Sequence, residues 1–164
     1  MEQQLLRSGK MKETITDLIV KIPMFAGLDA DELAIVEKHI KLFEIGQGET
    51  LFKEGEQGDY VCFVLDGRLE VTIKTVTGDD FVLNTLARGQ SVGEMSIIDN
   101  RPRSATVRTK TKATLFTLAR NDFETIMKEH SEIGLKVLKG LALLLSKKLR
   151  QTSSRLASYM ATVS

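Results

Sequence analysis

The 164-residue sequence is short of several things, and each shortage excludes something. It has one cysteine, Cys62, so an internal disulfide is ruled out and a reducing compartment fits. That cysteine lies in an apolar run and reads as a core residue. The formal net charge is only +1, so no overall field points to DNA or to an acidic membrane. No stretch of about 18 consecutive apolar residues occurs, so nothing reads as a bilayer span. The opening MEQQLLRSGKMKET lacks the apolar run of a signal peptide. The expectation is a soluble, cytoplasmic protein with no membrane partner. The two histidines, His39 and His130, fall in segments that read as helical and stand in no metal-ligand spacing, so surface roles and no metal are expected. A metal-dependent enzyme on a β scaffold would need histidines and acids clustered on strands, and no activated nucleophile is visible. The chain therefore reads as a non-enzyme.

What is present falls into three parts, enough for one domain and an extension. Residues 1–11 read as a tail. Residues 12–40 look helical: Leu18, Ile19 and Ile22 make an apolar patch ahead of Pro23. Asp29 then precedes ADELAIVEKHI, with Leu33, Val36 and Ile40 at helical spacing. From 41 to 119 the period changes to two. Leu69, Val71 and Ile73 alternate with Arg68, Glu70, Thr72 and Lys74, and Asp66-Gly67 just before them is a hairpin signal. Val61 to Leu65 is apolar on both faces, as in a strand covered on both sides. Gly46, Gly48, Gly55, Gly58, Gly67, Gly78 and Gly89 recur at strand-and-turn intervals. This predicts an antiparallel β-sandwich or jelly roll of about eight strands, with flanking helices.

After it, Asn121 or Asp122 is placed to cap a helix over DFETIMKEH. Residues 131–164 contain no proline and read as one long helix. Ala142, Leu149, Leu156 and Val163 are seven apart, as are Leu138, Leu145, Thr152 and Tyr159. Together they make a heptad seam, softened by Thr152 and Tyr159. Such a helix, roughly 45 Å long, exceeds what a small sandwich covers. A homodimer through residues 135–163 is expected, against packing of the helix on its own domain.

GEMSIIDNRPRSATV, from Gly93 to Val107, carries the chemistry. Gly93 lets backbone approach a ligand, and the short turn EMSII aims its first N–H groups at that place. Pro102 makes Arg101 extended and so fixes where Arg103 returns toward a strand. A guanidinium can hold two phosphate oxygens at once. Glu94 would repel that phosphate but accepts a hydroxyl donor. A ligand with a phosphate and a hydroxyl a few ångströms apart suits both, and a ribose phosphate is one.

This stretch, with G-E-M-S followed by P-R-S-A-T, resembles the phosphate-binding cassette of the cyclic nucleotide-binding domain family. Arg103 stands nine positions after Glu94, as in eukaryotic kinase regulatory subunits. IPMFAGLDADEL is similar to the family's helical lead-in, and EGEQGDYVCFVLDGRLEV to its glycine-punctuated strands. The resemblance covers roughly residues 20–130, and residues 12–130 are expected to form the binding domain. It implies a jelly roll holding cAMP or cGMP, with Arg103 neutralising the cyclic phosphate and Glu94 taking the ribose 2′-hydroxyl. Gly93, Ser104 and Ala105 would approach phosphate and sugar, with Met95 and Ser96 alongside. The family's cGMP binders tend to place threonine where Ser104 stands, while serine also occurs with cAMP.

SKKLRQTSSRL is in turn similar to the dimerising helix of the bacterial cAMP receptor proteins, whose Thr-Ser pair reaches the adenine. Thr152 and Ser153 match that pair. In those transcription factors a winged helix-turn-helix follows, whereas this sequence stops at Ser164, so DNA binding is not expected. The resemblance implies a cyclic-nucleotide sensor that prefers cAMP to cGMP and signals to an unidentified effector protein. A scaffold or assembly module of the same fold, binding a cyclic dinucleotide or nothing, remains the alternative.

Overall fold

The strand Tyr60–Asp66 buries both its faces, and two separate cores explain why. In the computed structural model, which describes residues 15–163, eight antiparallel strands form two four-stranded sheets. They are β1 (Ile40–Ile45), β2 (Thr50–Phe52), β3 (Tyr60–Asp66), β4 (Leu69–Lys74), β5 (Asp80–Leu86), β6 (Ser91–Val92), β7 (Thr106–Thr109) and β8 (Ala113–Ala119). One sheet runs β1-β8-β3-β6 and the other β2-β7-β4-β5, which is a jelly roll, as expected. Phe63 pairs with Phe116 and Val61 with Leu118, and this face meets the helices. Val64 pairs with Leu115, and that face meets Phe52, Leu69, Leu86 and Val107 of the other sheet. Successive residues of a strand point to opposite faces, so a strand between two cores is apolar throughout. Asp66 and Gly67 turn β3 into β4; Gly67 has φ +86°, and a Cβ there would lie 2.3 Å from the Lys112 carbonyl oxygen.

The N-terminal tail and the first residues of the expected helical segment lie outside the described residues. The rest of that segment is broken: α1 (Ile15–Ile19), a 3-10 turn (Pro23–Phe25) and α2 (Ala30–Glu37) precede β1, which already starts at Ile40. Pro23 explains the break, since it holds Ile22 extended at φ −82°, ψ 121°. Asp29 caps α2 through a reciprocal pair of bonds with Glu32, each 2.9 Å.

Beyond the strands lie α3 (Glu94–Asp99), α4 (Arg120–Glu129) and α5 (Ser131–Val163). The expected cap of α4 at Asn121 or Asp122 is replaced by one two or three residues earlier, with Ala119 at the N-cap position. The Arg120 N–H donates instead to Asp59 O at 2.6 Å, and the Asp122 carboxylate faces His39 Nδ1 at 3.2 Å. His39 is half-buried between α2 and β1, and His130 closes the end of α4, so neither lies inside a helix.

The long helix divides by exposure. Its first part buries Ile133, Gly134, Val137 and Leu141. Leu138 and Leu145, two members of the expected seam, pack partly on this same core. From Leu149 to Val163 every residue is exposed. Packing on its own domain accounts for Leu138 and Leu145 and leaves Ala142 and the second half of the seam bare. Among the described residues no helix is long and apolar enough to cross a membrane.

Candidate ligand-binding site

The turn from β6 through α3 to β7 is built around one buried arginine. Arg103 is 3% exposed. Its backbone is pinned to the β2–β3 loop, with its N–H donating to Glu56 O at 2.7 Å and its carbonyl accepting from Gly55 N at 2.8 Å. Its Nη2 donates to Tyr60 O at 2.8 Å and its Nη1 to Gly93 O at 3.3 Å. The guanidinium carbon lies 3.9 Å from the centre of the Phe52 ring and 4.6 Å from that of Tyr60. Two glycines make the room. A Cβ on Gly93, which has φ +88°, would fall 2.3 Å from Arg103 Nη1. A Cβ on Gly58 would fall 2.5 Å from Ser96 Oγ and 2.7 Å from Arg103 Nε.

That Nε is buried and has no hydrogen-bond partner. No carboxylate forms an ion pair with Arg103 among the described residues. Carbonyl oxygens and ring faces compensate a buried cation in part; an anion would complete it.

Glu94 opens α3 and is 4% exposed. Its Oε1 accepts from Ser91 Oγ and from Lys148 Nζ, the latter at 2.6 Å. The site thus offers a buried guanidinium and a buried carboxylate on one short turn, the first suited to an anion and the second to a donor. Asn100 closes α3 in the left-handed conformation, φ +53°. Gln57 Nε2 donates to its carbonyl and side-chain oxygens at 3.1 and 2.8 Å, and Arg120 donates to the same side chain. Arg120 also donates to Gly58 O and Ser96 O, so the start of α4 holds the turn from behind.

Of the residues singled out from sequence, Gly93, Glu94, Ser96 and Arg103 come together in this buried patch. Met95 is 55% exposed and projects outward. Ser104 is exposed and Ala105 half-buried on the way into β7. Thr152 and Ser153 sit on the bare half of α5, where the Thr152 hydroxyl donates to Lys148 O at 3.0 Å. Phe52, Gly58, Tyr60, Arg120 and Lys148 were not foreseen. Gly58 left a signal, being one of the punctuating glycines, whereas Lys148 reads in sequence as one of several helix lysines.

Burial acts on the nearby titratable groups. Desolvation pushes the Cys62 thiol up to about 12, opposed in part by Arg103. Desolvation also raises the Tyr60 phenol, whose hydroxyl donates to Leu51 O at 3.2 Å. No group of three or more His, Cys, Asp or Glu side chains that could hold a metal occurs among the described residues. A charged depression lined by Lys53, Glu54, Lys74, Asp80, Thr106 and Arg108 lies on the other sheet and shares none of the site residues.

Comparison with known proteins gives the geometry a context. The chain is 25% identical over 146 residues to a CRP-like cAMP-activated global transcriptional regulator of Mycobacterium tuberculosis, covering 89% of this chain and 63% of that protein. Its structure superposes on a cyclic nucleotide-binding domain from Methylobacillus flagellatus with a TM-score of 0.81, at 22% identity and over 88% of this chain and 85% of that one. It also superposes on the regulatory domain of Toxoplasma gondii PKA, solved with cAMP, with a TM-score of 0.64 at 26% identity, over 71% and 44% of the two chains. The chain thus spans less than two thirds of the length of the mycobacterial regulator. The sequence model of the cyclic nucleotide-binding domain matches residues 42–130, more than half of the chain, and on that ground the chain belongs to this family.

Proposed function

We propose that this chain is a regulatory module that binds cAMP in preference to cGMP and passes the event to a partner protein. The observation that carries the reading is Arg103: a buried guanidinium with a free Nε and no carboxylate, set between two aromatic rings. A cyclic phosphate is a compact anion of the right charge for it, and the ribose 2′-hydroxyl is a donor for Glu94. Gly93, Ser104 and Ala105 would approach the phosphate and sugar, with Met95 and Ser96 alongside. Thr152 and Ser153 are the candidates to reach the base, from α5 of the same or the second subunit of a homodimer through residues 135–163. That the mycobacterial regulator is described as cAMP-activated and the Toxoplasma domain was solved with cAMP supports this ligand class. The ligand acts by favouring one arrangement of the β6–α3 turn and, through it, of the helices that follow. The chemistry is binding, with no bond made or broken.

Calorimetric titration of the chain with cAMP and cGMP is the test. Saturable cAMP binding, tighter than that of cGMP, is expected. Arg103→Ala, checked by circular dichroism to be folded, should weaken it by about 2–5 kcal/mol, the range for losing one partner of a buried charged contact. Unchanged affinity in that variant removes the phosphate role from Arg103. At a hundred times its dissociation constant the nucleotide should also stabilise the native state by about 2.7 kcal/mol.

A further inference from the structure

Arg120 opens α4, where a cation meets the positive end of the helix dipole and is disfavoured. Its side chain does not stay with its own helix. Nη2 donates to the carbonyl oxygens of Gly58, in the β2–β3 loop, and of Ser96, in α3. Nη1 donates to the Asn100 side chain at the end of α3. Nε is buried without a hydrogen-bond partner, and among the described residues no carboxylate pairs with this guanidinium. Neither helix propensity nor an ion pair accounts for an arginine at this position.

The partners of Arg120 are the residues that crowd Arg103. Gly58 and Ser96 are both buried. A Cβ on Gly58 would fall 2.5 Å from Ser96 Oγ and 2.7 Å from Arg103 Nε, so Gly58 lies against both. The two residues beside the free Nε of Arg103 are thus the two whose carbonyls Arg120 holds. The third partner, Asn100, stands three positions before Arg103 and accepts from Gln57, of the same loop as Gly58, at 2.8 Å. Loop, α3 and the segment leading to Arg103 converge on one guanidinium. A planar fork with five donors suits acceptors spread over three residues, whereas an ammonium is a single point. Behind it, Ile126 of α4 shares a core with Ile97 of α3 and Val137 of α5.

We propose that Arg120 is a positioning residue of the nucleotide site, which clamps Gly58 and Ser96 beside Arg103 and makes the start of α4 part of the site. The proposal rests on the reading that Arg103 takes the phosphate. Arg120 does not itself touch the nucleotide; it holds the walls that keep the guanidinium of Arg103 in place. The tie is reciprocal. If the clamp strengthens nucleotide binding by some factor, the bound nucleotide strengthens the clamp by the same factor, and α4 is held more firmly when the site is filled.

The experiment uses the full chain with Arg120→Met, which keeps an unbranched stem without donors, and Arg120→Lys, which keeps the charge without the fork. Both are titrated with cAMP beside wild type, Arg103→Ala and the double variant Arg103→Ala/Arg120→Met, each checked by circular dichroism to be folded. The expected result is cAMP binding about five- to fiftyfold weaker in Arg120→Met. Arg120→Lys should be nearly as weak, and it carries the test alone should Arg120→Met not fold. In the Arg103→Ala background, Arg120→Met should cost less than about twofold more, because residues that act through one another are not additive. A role in stability alone would lower the urea midpoint and leave the affinity of the folded variants as it is. Hydrogen exchange of amides 120–129 should slow on adding cAMP in wild type and change little in Arg120→Met at saturation. If Arg103→Ala binds like wild type, or wild type binds no cAMP, the phosphate reading falls and the proposal with it. If Arg103→Ala is weakened but the folded Arg120 variants bind like wild type, the positioning role alone is overturned. Full affinity in Arg120→Lys only, or additive losses in the double variant, also overturns it, and equal protection of α4 in Arg120→Met overturns the tie to that helix.

Discussion

Cys62 shows how position decides the chemistry of a single residue. Its side chain is wholly buried in β3, opposite Val92 of β6, and burial pushes the thiol up to about 12. The thiolate is the reactive form, so at neutral pH the folded chain offers almost none of it, and the reagent cannot reach it either. Native protein treated with a chromogenic disulfide reagent at pH 8 should therefore release colour only as fast as it opens, whereas protein in urea should react at once. Prompt reaction of the native chain would show β3 to be accessible. The sequence already placed Cys62 in the core because its neighbours are apolar. It also pointed to Arg103 and Glu94, since glycine, carboxylate, proline and arginine at fixed spacing restrict the backbone locally. It did not point to Lys148, because that contact spans 54 positions and depends on where α5 lies.

Elements meet here through glycine as much as through leucine. α5 crosses the Pro23–Phe25 turn at Gly140, where an added Cβ would lie 2.1 Å from the Met24 carbonyl oxygen. The approach is fastened nearby by Lys136, whose Nζ contacts both oxygens of Glu32 at 2.7 and 2.9 Å. Alanine at position 140 would favour the helix by about 1 kcal/mol on propensity alone. The collision is with backbone, which cannot swing aside, so the helix must shift away from its core. The expected outcome for Gly140→Ala is a net loss of about 1–3 kcal/mol in urea unfolding, the range for overpacked contacts. Gly27→Ala is the control, because no atom lies within 4 Å of its added Cβ; a stability equal to wild type in both variants would refute the crossing. The alternation that predicted the strands is a local property and was legible. The breaks at Pro23 and the early start of α4 were less so, because the latter is set by Asp59 and His39, both remote from it in sequence.

At the scale of the whole molecule, α5 leaves an account unfinished. Leu149 is 68% exposed, Leu156 57%, Tyr159 68% and Val163 69%, and these four fall on the heptad seam. A chain that buries Val137 and Leu141 completely on one half of a helix and exposes such a stripe on the other has a surface suited to a second copy. Two such helices side by side would shield each other, whereas the jelly roll of the same chain lies behind Lys148 and covers none of it. The choice of variant follows from the packing. A charge at Leu145 would disturb both the seam and the core on which that residue partly rests, so loss of the dimer could reflect misfolding. Leu149→Lys and Leu156→Lys touch only the bare half. In light scattering at tens of micromolar the wild type should run at twice the mass of one chain and the double variant at one. Burying a lysine opposite its own copy leaves two unpaired charges in an apolar seam, which is strongly unfavourable. The melting temperature of the variant, extrapolated to low concentration where the wild type also dissociates, should match that of wild type, because neither leucine contributes to the monomer core. A wild type that stays monomeric across this range would refute self-association. A double variant that remains dimeric would place the interface elsewhere.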